Sequence, residues 1–264
     1  MKIQARMREF GPVVGGWVLL VLGFVVVIAG YVRLHGWQRG HITSDFYANV
    51  GVTLIGTAIV VLIIDRLNSA RAAEATRAGL IRDMASSDNG LAVRAARELR
   101  AMGNLTDGSL DESDFSRANL EDASLEAMRA KGAKFQGCRL TRANLSRANL
   151  VGAVFNRADL SRCNFEMADL GSVSFVDAAL ADVDLGDARL VAAVLSGATA
   201  RGADFRGSDL QGAQLDGADL TGAKMTGAKV GGARINNATK LPPGSPATME
   251  GQGETQQWPE GTTW

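Results

Sequence analysis

The sequence predicts a mainly β fold, a coil with four five-residue sides, preceded by an α-helical membrane hairpin and a short helical segment. Three observations support this prediction. Large apolar residues recur every five positions from Leu105 to Ile235. A small residue, usually alanine, stands two positions before most of them. Two long uncharged runs precede the repeats, at residues 10–32 and 46–64.

The period of five determines the shape of the coil. From Leu105 to Ile235, 27 positions have numbers divisible by five, and 25 of them hold Leu, Phe, Met, Ile or Val. A helix repeats every 3.6 residues and a strand every two, so neither explains this pattern. A chain that turns a corner every five residues closes one coil in twenty. Coils stacked by parallel pairing at about 4.8 Å form a solenoid roughly 30 Å long.

The same spacing makes predictions about the walls and the corners. Phe115, Phe135, Phe155 and Phe175 are twenty residues apart, so we expect their rings to stack as a ladder. From residue 197 to residue 232, every position two after an apolar centre is glycine. Glycine permits positive φ, so these corners are predicted to differ in turn type from corners that hold arginine or aspartate.

The two uncharged runs predict a transmembrane hairpin. They contain 23 and 19 residues, enough for a helix to cross a bilayer. A cleavable signal peptide is the alternative for the first run, but the second run close behind it favours a hairpin. Basic residues flank both ends of the pair, which places both ends in the cytoplasm and residues 33–45 outside. These flanking residues are Lys2, Arg6, Arg8, Arg66, Arg71, Arg77 and Arg82.

The sequence divides into five segments. They are a cytoplasmic N-terminus at 1–10, a two-helix transmembrane hairpin at 11–64, juxtamembrane helices that cap the solenoid at 65–103, the repeats at 104–240, and a C-terminal tail or partial cap at 241–264. A helix from about Leu91 to Met102, with Gly103 suited to its C-cap, is predicted to cover the open edge of the first coil. Trp258 and Trp264 are candidates to fold over the last coil.

Charge is banded along the repeats. Residues 103–240 hold 16 Lys and Arg against 18 Asp and Glu, a net charge of −2. Within them, residues 129–162 hold eight basic residues and one acidic residue, Asp159. This basic belt is the candidate interaction surface, for an acidic partner or for anionic lipid headgroups, and its alternative is an ordinary solvated surface. The candidate residues within it are Arg139, Arg142, Arg147, Arg157 and Arg162.

The sequence offers little for chemistry. Cys138 and Cys163 both occupy the small inward position of the repeat, which is typical of small core residues. His35 and His41 fall in the predicted outer loop. Nucleophile elbows, phosphate loops and zinc spacings are absent from the sequence. We therefore expect no enzyme, no catalytic or cofactor-binding residues, no metal site and no cofactor.

The repeats resemble the pentapeptide-repeat family, whose pattern is Ala-(Asp/Asn)-Leu-x-x. The pattern reads Ala-Asn-Leu at 118–120, 143–145 and 148–150, and Ala-Asp-Leu at 158–160, 168–170 and 218–220. The stretch from Leu80 to Gly103 also resembles the one that precedes the repeats in membrane-tethered members. The resemblance implies a right-handed quadrilateral β-helix and no reaction, since members are mostly interaction proteins.

Together these observations predict a non-catalytic, membrane-anchored interaction scaffold that presents its repeats to a cytoplasmic protein. Its expected location is a bacterial cytoplasmic membrane, crossed twice, with both termini inside. The expected partners are the bilayer, through residues 11–64, and an unidentified protein, with no nucleic acid and possible homo-oligomerisation. The alternatives are a DNA mimic that modulates DNA gyrase, as some members of the family do, and an accessory component of a transport or signalling complex.

Overall fold

The structure is a computed structural model that describes residues 44–245 and 255–264, and for residues 44–52 it describes the backbone alone. The chain forms two compact units, Met1–Thr76 and Arg77–Trp264. The first uncharged run, at residues 10–32, lies outside the described residues, as do His35 and His41. The predicted hairpin is therefore described only in its second half.

Helix α1, Ser44–Met84, contains the second uncharged run and continues beyond it. Its apolar side chains are exposed in the N-terminal unit, where Ile55 and Leu62 retain 63% and 65% of their accessible surface. By length and composition, Thr53–Met84 is the one helix in the described chain that could cross a membrane.

Helix α2, Asn89–Ala101, has a side-chain cap at its start and a backbone cap at its end. The Asp88 carboxylate accepts the N–H of Leu91 at 2.9 Å, which satisfies one of the free donors of the first turn. At the other end Gly103, with φ of +77°, and Asn104 donate to carbonyls of the last helical turn at 3.0 and 2.9 Å. This pattern is a Schellman motif, and the helix begins two residues before the predicted start at Leu91.

Helix α2 covers the first edge of the coil. The Asn89 amide donates to the Glu121 carbonyl at 2.9 Å, and the Arg100 guanidinium donates to the carbonyls of Ser124 and Glu126 at 3.1 Å. These carbonyls would otherwise be unpaired, because a first coil has no coil before it. The inner face of the helix is fully buried at Ala92, Ala95, Ala96 and Leu99.

Backbone hydrogen bonds within the coil pair four of the five amide groups of a repeat. The N–H groups of the apolar centre and of the residue two after it donate to the following coil, and the N–H of the residue before the centre donates to the preceding coil. The small residue donates to the carbonyl of the centre three positions earlier. Where Asp or Asn precedes the centre, its side chain usually accepts the remaining amide, one after the centre, as in Ser146 to Asn144 at 3.0 Å. This contact explains the preference for Asp or Asn before the centre.

Parallel pairing has a register of twenty until the last coil. It runs from Asp114 with Lys134 to Gln214 with Arg234. Asp219 instead pairs with Lys240, 21 residues later, so the last coil contains one extra residue. The hydroxyl of Thr239 donates to the Leu215 carbonyl at 2.9 Å within this bulged side.

The core is the dry interior that the period of five predicts. The large centres and the small inward residues of the coils are buried, including Cys138 and Cys163, which are free thiols. The predicted phenylalanine ladder is confirmed. Its ring centroids are 5.1, 4.6 and 5.3 Å apart from Phe115 to Phe175, and the rings lie within 25° of parallel.

The prediction of two turn types was wrong. Each of the 25 positions that stand two after a centre, from Glu112 to Gly232, has positive φ, whether or not it is glycine. Arg142 and Asp187 have φ of 60° and 54°, against 69° at Gly197. The reason is geometric, because the same corner must be turned every five residues whatever side chain stands there.

The C-terminal residues cover the other end of the coil. Strand β1, Arg234–Ile235, pairs antiparallel with strand β2, Gln256–Gln257. Trp258 and Trp264 exchange backbone hydrogen bonds with residues 227–233 of the last coil. Their rings meet edge to face, with centroids 5.9 Å apart, and Trp258 is buried.

Candidate interaction surface

The basic belt does not form one patch. Arg142 and Arg162 occupy the same corner in successive coils, since they are twenty residues apart. Arg147 and Arg157 occupy two other corners, and Arg139 lies on a flat side. Four of the five arginines therefore spread over three corners of the coil, and the fifth lies on a side.

Two belt arginines share acidic partners in the preceding coil. Arg142 donates to Glu121 and to Asp122, each at 2.8 Å, and Arg139 lies 3.6 Å from the other oxygen of Glu121. The hydrogen bond from Arg142 holds the pKa of the Asp122 carboxyl below its usual range. Acidic residues of the rod itself thus neutralise part of the charge of the belt.

Two other belt arginines face acidic residues in the following coil. Arg157 is 3.9 Å from Asp177, and Arg162 is 3.8 Å from Asp182. The side chains of both arginines are more than two-thirds exposed. Exposed pairs at such distances contribute at most about 1 kcal/mol, so both guanidinium groups can turn toward another anion.

Arg147 and Arg117 lack an ion pair with any described residue. Arg117 is not in the predicted belt, because it stands in the acidic first coils. It shares a corner with Arg157, forty residues later, with Gly137 between them. A methyl group on Gly137 would lie 3.8 Å from Cγ of Arg117, so the stem of this arginine extends along the corner beside the glycine.

A groove of about 570 Å³ follows this corner through four coils. Gly137 has no side chain, which leaves space between the two arginines. The side-chain amides of Gln136 and Asn156 and the carboxylate of Asp177 line the groove. The lining residues are Ser116, Arg117, Gln136, Gly137, Asn156, Arg157, Val176 and Asp177. Sequence reasoning could have found it from the Arg-Gly-Arg order at twenty-residue spacing.

The described residues provide little for catalysis. Burial raises the pKa of the Cys138 thiol to about 12, and burial likewise raises that of Cys163. Both thiols are therefore protonated at neutral pH and donate to backbone carbonyls, those of Ala118 and Leu140. Among residues 44–245 and 255–264, no cluster of three potential metal ligands is present.

Several solved structures resemble this chain. Rfr23, a pentapeptide-repeat protein of the cyanobacterium Cyanothece 51142, is 27% identical, covers 43% of this chain and 90% of its own, and has a TM-score of 0.35. HetL of Nostoc sp. strain PCC 7120, involved in the regulation of heterocyst differentiation, is 25% identical over 52% of this chain and 71% of its own, with a TM-score of 0.24. QnrB1, a plasmid-mediated fluoroquinolone resistance protein, is 20% identical over 49% and 86%, with a TM-score of 0.22.

No curated protein matches the chain. The model of the family described as "Pentapeptide repeats" matches in eight copies, at residues 104–137, 138–175, 174–212 and 203–239. These ranges span just over half of the 264 residues and coincide with the observed coil. The chain therefore belongs to the pentapeptide-repeat family, whose members fold as right-handed quadrilateral β-helices.

Proposed function

We propose that the chain is a non-catalytic scaffold, anchored in a membrane by its N-terminal helices, that presents its repeats to an acidic protein partner. One observation carries the proposal. Exposed apolar side chains follow α1 through its N-terminal unit, whereas the repeats bury theirs and expose a polar surface. The first surface suits lipid and the second suits a protein in water.

The proposed anchor is a hairpin of residues 10–32 and 46–64, with both ends in the cytoplasm. The basic residues of its flanks support this orientation. The domain division follows, with residues 65–103 as a juxtamembrane cap and residues 104–240 as the presented rod. A single span and a cleaved signal sequence are the competing arrangements for the same apolar helix.

Thiol labelling in intact cells and an alkaline wash test this orientation against a cleaved signal sequence. The native cysteines are buried, so introduced ones report alone. Thr43→Cys should react with an impermeant maleimide from outside, and Ser69→Cys only after lysis. The protein should stay with the membranes through an alkaline wash. Release by that wash, or outside labelling of Ser69→Cys, contradicts the hairpin.

The proposed docking site for the partner is the groove between Arg117 and Arg157. Arg117 has no ion pair with a described residue and Arg157 has only the exposed contact with Asp177 at 3.9 Å, and the groove between them is large enough for one or two acidic side chains. Lipid headgroups offer similar chemistry, but the groove also presents side-chain amides that suit a peptide backbone. An acidic segment of a cytoplasmic protein therefore fits these groups best.

The test compares charge reversal at the corner that carries the groove with charge reversal at another corner. Affinity capture from detergent-solubilised membranes should recover a partner that depends on residues 103–240. The double variant Arg117→Glu and Arg157→Glu should lose this partner, while Arg147→Glu, at another corner, should retain it. Equal recovery by both variants contradicts the groove, and recovery that is independent of the repeats contradicts the scaffold.

Modulation of DNA gyrase remains the competing function, because QnrB1 is a fluoroquinolone resistance protein of the same family. Mimicry of DNA needs a strongly acidic rod. The rod here has a net charge of only −2 and pairs part of its charge between coils. Inhibition or protection of gyrase in a supercoiling assay with the purified chain would favour mimicry over the scaffold.

A further inference from the structure

The corner that carries the groove repeats its backbone from coil to coil. In three successive coils the corner N–H donates to a carbonyl of the following coil, at 2.9 Å from Arg117, 3.0 Å from Gly137 and 2.9 Å from Arg157. The values of φ at these residues are 62°, 62° and 58°. Because stacked coils are about 4.8 Å apart, Arg117 and Arg157 are separated by about 9.6 Å along the rod.

The two arginine side chains extend in the same direction along the rod. The stem of Arg117 lies beside Gly137 in the following coil, with Cγ 3.8 Å from the place of a methyl group on that glycine. The guanidinium of Arg157 faces Asp177, again in the following coil, at 3.9 Å. Since both side chains reach one coil forward, their guanidinium groups keep the spacing of the backbone, about 9.6 Å.

A side-chain amide lies between the levels of these two cations. Oδ1 of Asn156 accepts the hydroxyl of Ser174 at 2.6 Å and the N–H of Val176 at 3.2 Å. These bonds fix the orientation of the amide, so Nδ2 is the atom left for a ligand, and Nδ2 can only donate. The groove therefore offers a hydrogen-bond donor between two cations, which suits a peptide carbonyl between two carboxylates.

A peptide with carboxylates at this separation has a defined backbone. A polyproline II helix has three residues per turn and rises about 3.1 Å per residue, so residues i and i+3 point the same way about 9.3 Å apart. A β-strand brings side chains to one face every second residue, about 6.7 Å apart. Polyproline II also leaves its carbonyls free to accept from Asn156, whereas the carbonyls of an α-helix are bonded within the helix.

We infer that the groove recognises a polyproline II segment of the partner with an acidic residue at position i and another at i+3. Arg117 binds one carboxylate, Arg157 binds the other, and Nδ2 of Asn156 donates to a carbonyl between them. Gly137 leaves room for the two intervening residues. The inference deepens the proposed docking site and rests on it, because that site takes an acidic segment as its ligand.

Asp177 weakens the contact at Arg157. One of its carboxylate oxygens lies 3.9 Å from Arg157, and the other lies 2.5 Å from the place of a methyl group on Gly197, in the following coil. The exposed pair with Arg157 is weak, but the Asp177 carboxylate repels an incoming acidic side chain. Asp177→Asn should therefore tighten binding of the acidic segment severalfold and leave its preferred spacing unchanged.

Three dye-labelled peptides of one composition test the spacing. Each contains two glutamates and four prolines with blocked ends, in the orders Glu-Pro-Pro-Glu-Pro-Pro, Glu-Pro-Glu-Pro-Pro-Pro and Glu-Pro-Pro-Pro-Glu-Pro. Their charge is identical, and the prolines keep every residue in the polyproline II region. Fluorescence anisotropy with the purified full chain in detergent should show severalfold tighter binding of the first peptide than of the other two.

Moving one arginine by a coil tests the two contacts. Arg117→Gly combined with Gly137→Arg keeps the composition and the charge but sets the two arginines one coil, about 4.8 Å, apart. The corner accepts arginine at both places, since φ is 62° at each. The preference for the first peptide should then disappear. Arg147→Gln, at another corner, is the matched control and should keep the preference, and a circular dichroism spectrum confirms that each variant is folded.

The outcomes separate this inference from the proposed docking site. If the three peptides bind equally, or none binds, while capture of the partner still depends on Arg117 and Arg157, the spacing is overturned and the docking site stands. If the first peptide is preferred but no partner is captured, the spacing holds and the scaffold fails. A preference that survives the relocated arginine overturns the inference, and loss of both peptide binding and capture overturns both proposals.

Discussion

The corners of the coil hold their turn residues with φ between 54° and 77° from Glu112 to Gly232. This region costs an L-residue about 1–2 kcal/mol of conformational free energy and costs glycine almost nothing. Fourteen of these 25 residues are not glycine, so the rod carries a distributed local strain. The strain is tolerated because each corner is fixed by hydrogen bonds to the adjacent coils.

Ala192 and Gly212 stand at the same corner in successive coils, and substitutions there test this cost. Ala192→Gly should stabilise the rod by about 0.5–1 kcal/mol, because φ at Ala192 is 57°. Gly212→Ala, one coil later, should destabilise it by about 1 kcal/mol. A methyl group there meets no atom within 4 Å, so the effect is one of the backbone alone. The midpoint of urea unfolding measures both changes in stability. If both variants were stabilised, or both destabilised, the argument would be refuted.

Asp219 provides a second residue-scale test, through pH. Its carboxylate accepts from Thr221 at 2.6 Å, from Arg201 at 2.8 Å and from Lys240 at 3.2 Å. The hydrogen bond from Thr221, followed by that from Arg201, lowers the pKa of Asp219 well below its usual range. A lowered pKa means that the stabilisation is complete above about pH 4 and is lost as pH falls through the folded-state pKa.

Asp219→Asn should therefore reduce the free energy of unfolding by about 1–2 kcal/mol at neutral pH, after allowance for the exposure of Arg201 and Lys240. The deficit should shrink as pH falls below about 4, because the Asp219 carboxylate of the unfolded wild-type chain then binds a proton that the folded carboxylate does not. Unfolding curves from pH 7 to pH 2 measure the difference. A deficit that stays constant with pH would contradict the role of the charge.

At the scale of elements, α2 covers the first coil, and Leu99 is the largest side chain that this helix buries there. Leu99 is fully buried beneath the helix, whereas Met102, at its C-terminal end, is 47% exposed. Leu99→Ala should destabilise the rod by about 2–4 kcal/mol, and Met102→Ala by less than about 0.5 kcal/mol. Chemical unfolding gives both values. Comparable losses of stability would show that the buried face of α2 does not hold the helix on the first coil.

The phenylalanine ladder is the second element, and its inner rungs have more ring contacts than its ends. Phe155 stacks on Phe135 and Phe175 and meets the edge of Phe165 at 6.0 Å. Phe115 stacks on Phe135 alone. Phe155→Leu should therefore cost about 1–2 kcal/mol more than Phe115→Leu, since each aromatic pair contributes about 0.5–1.5 kcal/mol. Equal losses in the urea midpoint would argue against a contribution from stacking.

At the scale of the whole molecule, a β-helix has two open edges, and this chain covers both. Helix α2 binds the carbonyls of the first coil, and residues 255–264 pair with the last one. Uncovered edges recruit strands from other chains. The covers therefore keep each rod from extending end to end.

Truncation after Ser245 tests the second cover. The shortened chain should keep its coil but associate end to end, so its sedimentation coefficient should rise with concentration. Trp258→Ala, which removes a buried ring and keeps the strand, should show a weaker form of the same effect. A truncated chain whose sedimentation is unchanged would mean that the last coil needs no cover.

The charges also act at the scale of the whole rod. Acidic residues in one coil meet basic ones in the next, as in Asp111 with Arg129, Asp169 with Arg189 and Asp216 with Arg234. A banded sequence thus folds into a rod that pairs many of its charges between adjacent coils. Arg117 and Arg147 are the two arginines of the rod without an ion pair to a described residue, and the residues one coil away from them are uncharged.

The sequence by itself determined the family, the five-residue period, the inward centres and the register of the Phe115 to Phe175 ladder. These features are local or strictly periodic. Burial of one large side chain in every five residues is compatible with one architecture, a coil that turns a corner every five residues. Only the tertiary structure decided the positive φ at Arg142, the pairing of Arg142 with Glu121 and Asp122, and the shift of Asp219 to Lys240. The corner conformation is imposed by closure of the coil, and partner choice depends on how far long side chains reach across adjacent coils. Neither is encoded in the type of residue at the position itself.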